Sequence, residues 1–425
     1  MSRLSTTPSR RRWGRTAAIG TVAVLVLAGG CGNKAATSGG PVKFDIGVTD
    51  TTITLGVLTD RTGTYAKQGV AIGAARDLYW KDRKVCNRTV EFIQKDHRNL
   101  VAEVVSAYPE IKDKVLALDE LLGPAQIESL LPDLQKDRMT TLAASWDSAL
   151  LKNPSVVVVG STYDIEVING IDYLLTSKVL AKGDKVGVIY ADNAYGANTL
   201  RGARFSATAN NLTLVEQKVI PTANDLAPAI TALKAAGTKV VVLATTPTQT
   251  ASAVGLAGAQ AMDATFLGVT PSYTGALLGT AAKGALEKNL LISTAITPYN
   301  SDLPAIRDFR DKLKAADVAA NPPGTAASSL YVNFSTYGYA QQQVMYQILD
   351  AACRMKDLTR AGVQKAWASL KSLDTNGVVP VLDYSVPGQI PTRQTSIVKP
   401  DATVEGTLVQ VQGLTTSDLA KTYQP

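Results

Sequence analysis

The chain has 425 residues, 45% of them hydrophobic and 19% charged, with three cysteines, one histidine and a formal net charge of +7. That length suits two domains and a sizeable core, and a lone histidine excludes a multi-histidine metal site. The charge does not mark a nucleic-acid surface: residues 1–30 carry five Arg and no acid, so the rest of the chain stands at +2.

Arg3, Arg10, Arg11, Arg12 and Arg15 precede an apolar run from Thr16 to Ala28, shorter than the roughly 20 residues of a spanning helix. A basic flank, a short apolar core and small residues at its end predict a secretory signal. The stretch VLVLAGGCGN, residues 24–33, resembles a bacterial lipoprotein signal. The resemblance implies that residues 1–30 are removed and that Cys31 is lipidated. The mature chain would then sit lipid-anchored on the extracytoplasmic face of the cell membrane. Ser9–Trp13 also resembles a twin-arginine export signal. Residues 31–50 begin as a Gly/Ser/Ala/Thr-rich tether, and a flexible chain of that length spans about 20–25 Å. With Cys31 assigned to lipid, Cys86 and Cys353 remain. An exported chain keeps disulfides, so the two either pair or are buried as apolar residues.

Beyond the tether, TITLGVLT (52–59), TVEFIQKD (89–96), DKVGVIYA (184–191) and TKVVVLAT (238–245) read as buried strands. Each is rich in Val, Ile or Leu and ends on polar or turn residues. Leu226, Ile230 and Leu233 fall at helical spacing before Gly237, which reads as a C-terminal cap. Ile306, Phe309 and Leu313 repeat the pattern. Strands alternating with helices predict parallel βαβ units, and the continuously apolar strands predict sheets covered on both faces. Two such blocks follow each other, over about 51–160 and 183–295. Ligands of open α/β sheets lie at the carboxyl ends of strands, so the loops TDRTGTYAKQG, DHRN, LGPAQIES, AASWDSAL, ADNAYGAN, TTPTQT and VTPSYT hold the candidate site.

These loops carry a resemblance over about residues 50–412. ITLGVLTDRTGTYAKQG, LLGPAQIESLLPDL, KVGVIYADNAYGANTLRG, KVVVLATTPTQTASAV, ATFLGVTPSYT and STYGYAQQQVMYQIL, in that order, resemble the successive units of type I periplasmic binding proteins. The nearest relatives implied are solute-binding lipoproteins for branched-chain amino acids, amides, urea or aromatic acids. The resemblance implies an α/β fold of two Rossmann-like lobes with parallel sheets, joined by three hinge crossovers near 158–164, 294–300 and 376–383. It places lobe 1 at 51–160 plus 298–378 and lobe 2 at 161–297 plus 379–425. It implies a cleft that closes on the ligand by hinge motion, and it brings the STYGYAQQQVMYQIL helix back to the first lobe. Cys86 and Cys353 are then expected to form a disulfide there.

For the site, Thr62 and its neighbours Gly63 and Thr64 offer hydroxyls and N–H groups to an anion, or are simple turn chemistry. Tyr65 stands where relatives carry an aromatic residue facing the cleft. Gln126 and Ser129 lie where relatives bind a ligand carboxylate, with an amide in place of the usual small hydroxyl residue. Ser145 and Trp146 follow, Trp146 as a pocket wall or as filler beneath the loop. Tyr195 matches the family tyrosine that reaches the ligand from the second lobe, while Asp192 is expected to orient its turn. Thr246 and Ser272 complete the candidates. The loop Thr270–Tyr273 lacks the acid that amino-acid-binding relatives use for the ammonium group; Asp147 is the candidate substitute, because a buried ammonium needs an anionic partner.

Nothing here predicts an enzyme. The chain has no G-x-S-x-G, G-x-G-x-x-G or G-x-x-x-x-G-K-[ST] pattern, and its one S-x-x-K, Ser396–Lys399, lies in a strand-like stretch. His97 reads as a capping or solvated group. No cofactor and no metal are expected. The expected function is capture of a small polar or amino-acid-like solute by a monomer and its delivery to an ABC permease. The alternative is a sensing lipoprotein of the same fold acting on a membrane signalling partner.

Overall fold

The computed structural model describes residues 41–320 and 329–425. Cys31 and the signal segment lie outside the described residues. The expected tether is already folded at its end: β1 (Lys43–Phe44) is a short strand, and Val48 is buried and bridges to Ile53.

The first sheet forms as the sequence pattern dictates. β2 (Thr52–Thr59) is followed by α1 (Ala66–Trp80), the hairpin of β3 (Lys84–Val85) and β4 (Arg88–Asp96), and α2 (Val101–Ile111). Then come β5 (Leu118–Leu122), α3 (Pro124–Lys136), β6 (Thr141–Ala144) and β7 (Val156–Val158). The order across the sheet is β3-β4-β2-β5-β6-β7, parallel throughout except for the β3–β4 hairpin. The hairpin turns on Cys86 and Asn87, both with positive φ (54° and 62°), the pair of left-handed residues that a tight two-residue turn requires.

The chain then crosses over. α4 (Tyr163–Thr176) opens the second lobe, followed by β8 (Lys185–Ala191), α5 (Ala194–Asn210), β9 (Thr213–Val219) and α6 (Ala227–Ala236). β10 (Val240–Ala244), α7 (Pro247–Ala259), β11 (Thr265–Val269), α8 (Lys283–Asn289) and β12 (Leu290–Thr294) complete its parallel part. Gly237 ends α6 in the left-handed conformation (φ 71°), as its place after Leu233 predicts. The chain returns to the first lobe for α9 (Pro304–Ala320), α10 (Asn333–Arg354), β13 (Asp357–Leu358), which pairs with β1, and α11 (Arg360–Trp367). It ends in the second with β14 (Thr395–Pro400), β15 (Leu408–Thr415) and α12 (Asp418–Thr422). The second sheet runs β15-β14-β12-β11-β10-β8-β9, antiparallel only at β12–β14–β15. In both sheets the parallel strands follow the order 2-1-3-4-5. That is the flavodoxin-like member of the doubly wound class, with its switch point beside the first strand.

Cys86 and Cys353 form a disulfide, tying the β3–β4 turn to the end of α10. α10 lies close on α1: a Cβ on Gly338 would come within 2.8 Å of the Ile72 Cα. The first two crossovers fall at 159–162 and 295–303, where the sheet strands stop and the next lobe's helices start. The third falls later than 376–383. Leu373 and Leu382 pair backbone to backbone, and the Tyr384 N–H donates to the Leu370 carbonyl, so this stretch stays beside α11. Ile390 already packs with Ile165 and Ile168 of α4. The passage is therefore at about 385–390.

Candidate functional site

The carboxyl ends of both sheets meet across one cleft. Its central cavity, about 20 Å³, is lined from the first lobe by Tyr65, Gln68, Leu122, Pro124, Ala144, Trp146 and Phe334, and from the second by Tyr163, Tyr195 and Pro271. Phe334 also lines a second cavity of about 20 Å³ with Thr270, Tyr273, Thr294 and Asn333. Pro124 also lines a third, about 70 Å³, with Glu128, Ser145, Asp147 and Ala194. Linked by shared residues, the three form one narrow interlobe track. The central part holds about one water, so a larger solute enters only when the lobes part.

Each wall residue is held by its own element. Asp60, fully buried after β2, accepts the backbone N–H groups of Gly63 (2.5 Å), Thr62 (3.2 Å) and Tyr65 (2.8 Å). This folds the loop and places Tyr65 at the start of α1. Of the two readings of Thr62–Thr64, the contacts present are those of a turn: the carboxylate of Asp60 accepts the Thr62 and Gly63 amides, and the Thr62 hydroxyl donates to Asp96 (2.8 Å). Gly123, at φ 106°, turns β5 into α3, and a Cβ there would meet the Gln126 Oε1 at 2.2 Å. Gln126 is buried with that oxygen unpartnered among the described residues, as is the Gln68 Nε2.

Trp146 does two jobs. Its ring lines the cavity and packs edge-on against Tyr337 (4.7 Å between centroids) and Tyr163 (6.0 Å). Its Nε1–H donates to the Val159 carbonyl in the first crossover at 2.7 Å. The Tyr384 hydroxyl donates to the adjacent Val158 carbonyl at 2.9 Å. Gly160 follows at φ 121°, with Trp146 Nε1 3.2 Å from where a Cβ would be. Two aromatic donors thus fix the first crossover immediately before its most pliable residue.

From the second lobe, Tyr195 packs against Tyr163 with ring centroids 4.7 Å apart and planes tilted by 59°, and its hydroxyl donates to the Thr245 carbonyl at 3.5 Å. It is Asn193 that caps α5, accepting the Gly196 N–H at 3.0 Å, while Asp192 pairs with Lys218 on the surface. Burial pushes the Tyr65, Tyr163 and Tyr195 hydroxyls far up, so each is a neutral donor.

Of the residues singled out from sequence, the structure brings Tyr65, Trp146 and Tyr195 together on one cavity. The others are engaged locally. Ser129 donates to the Gln126 carbonyl of its own helix (2.8 Å), and Ser272 to the Val269 carbonyl (2.7 Å). Thr246 caps α7 in a reciprocal box with Gln249. Ser145 pairs with the Tyr163 hydroxyl (3.2 Å) on the side cavity. Asp147 caps Ala149 (2.9 Å) and lies 3.9 Å from Arg201, so it does not wait for an ammonium group. Sequence reasoning passed over Gln68, Tyr163, Pro271 and Phe334. Gln68 was within reach, one turn past Tyr65 on the same helix face.

A buried acid adjoins the track. Glu166 of α4 accepts the Thr270 N–H (2.9 Å) and hydroxyl (2.5 Å), and Thr270 in turn meets Thr294 (2.8 Å). Burial pushes its carboxyl up to about 8, against the pull of those two bonds.

Two doubly wound lobes with an aromatic, water-excluding cleft at their strand ends define a two-lobe solute-binding protein. The chain belongs to the periplasmic binding protein family, whose model matches residues 52–401. Among solved structures it is similar to a fatty acid ABC transporter substrate-binding protein from Thermomonospora curvata, at 35% identity over 90% of this chain and 97% of that one, with a TM-score of 0.84. A branched-chain amino acid ABC transporter protein from Thermus thermophilus with bound valine shares the fold at 21% identity, 88% and 99% coverage and a TM-score of 0.75. So does a solute-binding protein from R. palustris in complex with 4-hydroxybenzoate, at 17% identity, 86% and 97% coverage and a TM-score of 0.71. No curated protein matches. The chain is thus a solute-binding component of an ABC transporter and not an enzyme. Proteins of this family act outside the cytoplasm, and among the described residues no helix is long and apolar enough to cross a membrane.

Proposed function

We propose that this protein is a lipid-anchored receptor, held at Cys31, that captures a carboxylic acid with an apolar aliphatic or aromatic body and passes it to an ABC permease. One observation carries the ligand class: no ionisable carboxylate or ammonium group lines the central cavity. Its walls are aromatic and aliphatic, and the unpaired polar group among its lining side chains is the neutral amide of Gln68. An apolar body is favoured in such a site, whereas the ammonium of a free amino acid would be buried without a partner. The amino-acid-like solute expected from sequence is the competing reading, and the panel below separates the two. The protein from Thermomonospora curvata, described as a fatty acid transporter component, supports the same class. The lobes follow the division 51–160 plus 298–378 and 161–297 plus 379–425, except that residues 379–384 pack beside α11 and are counted with the first lobe.

A thermal-shift panel of octanoate, 4-hydroxybenzoate and leucine tests this. At a hundredfold excess over Kd the matching acid stabilises by about 2.7 kcal/mol. A rise with octanoate or 4-hydroxybenzoate and none with leucine is expected. A rise with leucine alone overturns the ligand class.

A further inference from the structure

The largest apolar hollow near the lobe boundary is not in the cleft. A cavity of about 360 Å³ lies between the first lobe's edge and the third crossover, lined by Leu151, Val156, Val158, Trp367, Tyr384 and Val386, with Lys152 and Ala368 at its border. Its volume falls in the range of small-molecule sites, against about 20 Å³ for the cleft's centre.

Its polar groups are few. The Trp367 Nε1–H is shielded from solvent and has no acceptor among the described residues. Lys152 is exposed and has no carboxylate partner among the described residues. Two amides also line it: Gln364 Nε2 donates to the Pro154 carbonyl at 2.9 Å, and Gln389 is exposed. The ring of Trp367 stands at 86° to that of Tyr384, 5.8 Å away, so the two form an aromatic corner. Val386, 52% exposed, offers apolar surface on the crossover side. An unpaired cation at the rim of apolar walls complements a small amphipathic anion.

We infer that this cavity is a second binding site, for a small molecule with an acidic group and an apolar body, its acid toward Lys152 at the rim and its body against Val156, Val158, Tyr384 and Val386. An occupant bridges the first lobe and the third crossover, so it acts on the hinge rather than in the cleft.

The test is a fluorescence titration of the full chain with 8-anilinonaphthalene-1-sulfonate, an aromatic sulfonate of this class. Saturable binding is expected in the wild type and in Tyr195→Ala. It should be lost in Ala368→Trp, which fills the cavity, and weakened at least fivefold in Lys152→Glu. Should Ala368→Trp fail to fold, as read by its melting curve, Lys152→Glu at the exposed rim decides the matter. Absence of saturable binding, equal binding by Lys152→Glu, or loss of binding in Tyr195→Ala overturns the inference.

Discussion

At the scale of single residues, Trp146 joins ligand wall and hinge. Its ring faces the cavity while its N–H holds the Val159 carbonyl. The two roles separate by substitution. Trp146→Ala removes both, and loss of its aromatic contacts should weaken solute affinity by more than about 1 kcal/mol. Trp146→Phe keeps most of the wall and frees the carbonyl, so affinity falls less while the closed form loses its latch. Calorimetric titration of both variants checks this; unchanged affinity in Trp146→Ala would make the residue core filler. Glu166 makes a pH-dependent claim. Its carboxyl, raised to about 8 in the fold, titrates near the ordinary value of about 4.3 when unfolded. The folded chain therefore holds the extra proton between those values. Its contribution to stability is complete below the lower value and is lost as pH rises through the upper one. Glu166→Gln does not titrate. Relative to the wild type it should gain more than about 1 kcal/mol between pH 5 and pH 9, read as a growing difference in Tm. A constant difference would contradict the assignment.

At the scale of elements, the strands that sequence revealed are those buried on both faces. β2 and β10 match TITLGVLT and TKVVVLAT because their Val, Ile and Leu residues need cover on either side. β5 hid itself. Its Asp119 and Glu120 are fully buried, against Gln342 (3.0 Å) and Thr59 (2.7 Å), with Arg76 3.8 Å from Glu120. Two adjacent acids do not read as a core strand until those long-range partners are known. The site divides in the same way. Tyr65, Trp146 and Tyr195 were legible because large aromatic residues on strand-end loops have few other uses. Phe334 was not, since only the fold aims the start of α10 at the cleft. Thr246, Ser272 and Ser129 are engaged within their own elements, because capping and back-bonding satisfy hydroxyls locally. The Cys86–Cys353 disulfide closes a loop with a sequence separation of 267. The double variant Cys86→Ser/Cys353→Ser should lose about 2–4 kcal/mol in denaturant unfolding. Two free thiols in the intact mass of the exported protein would remove that contribution.

At the scale of the whole molecule, one apolar cluster runs from the first sheet through Trp146 and Tyr163 to Val186, Val240 and Leu267 of the second. The lobes meet as a closed pair, and a solute that contacts both favours that form over an open one. Anchoring belongs to this scale too. Cys31→Ala should release the protein from membranes or leave its precursor uncut, and normal retention of the variant on fractionation would rule out a lipid anchor. The central claim is that an apolar-bodied acid binds between the lobes against Tyr195. Calorimetric titration of octanoate into the wild type and Tyr195→Ala addresses it most directly. The account predicts saturable binding by the wild type and at least tenfold weaker binding by the variant. Equal binding by the two, or binding of leucine where octanoate shows none, would contradict it.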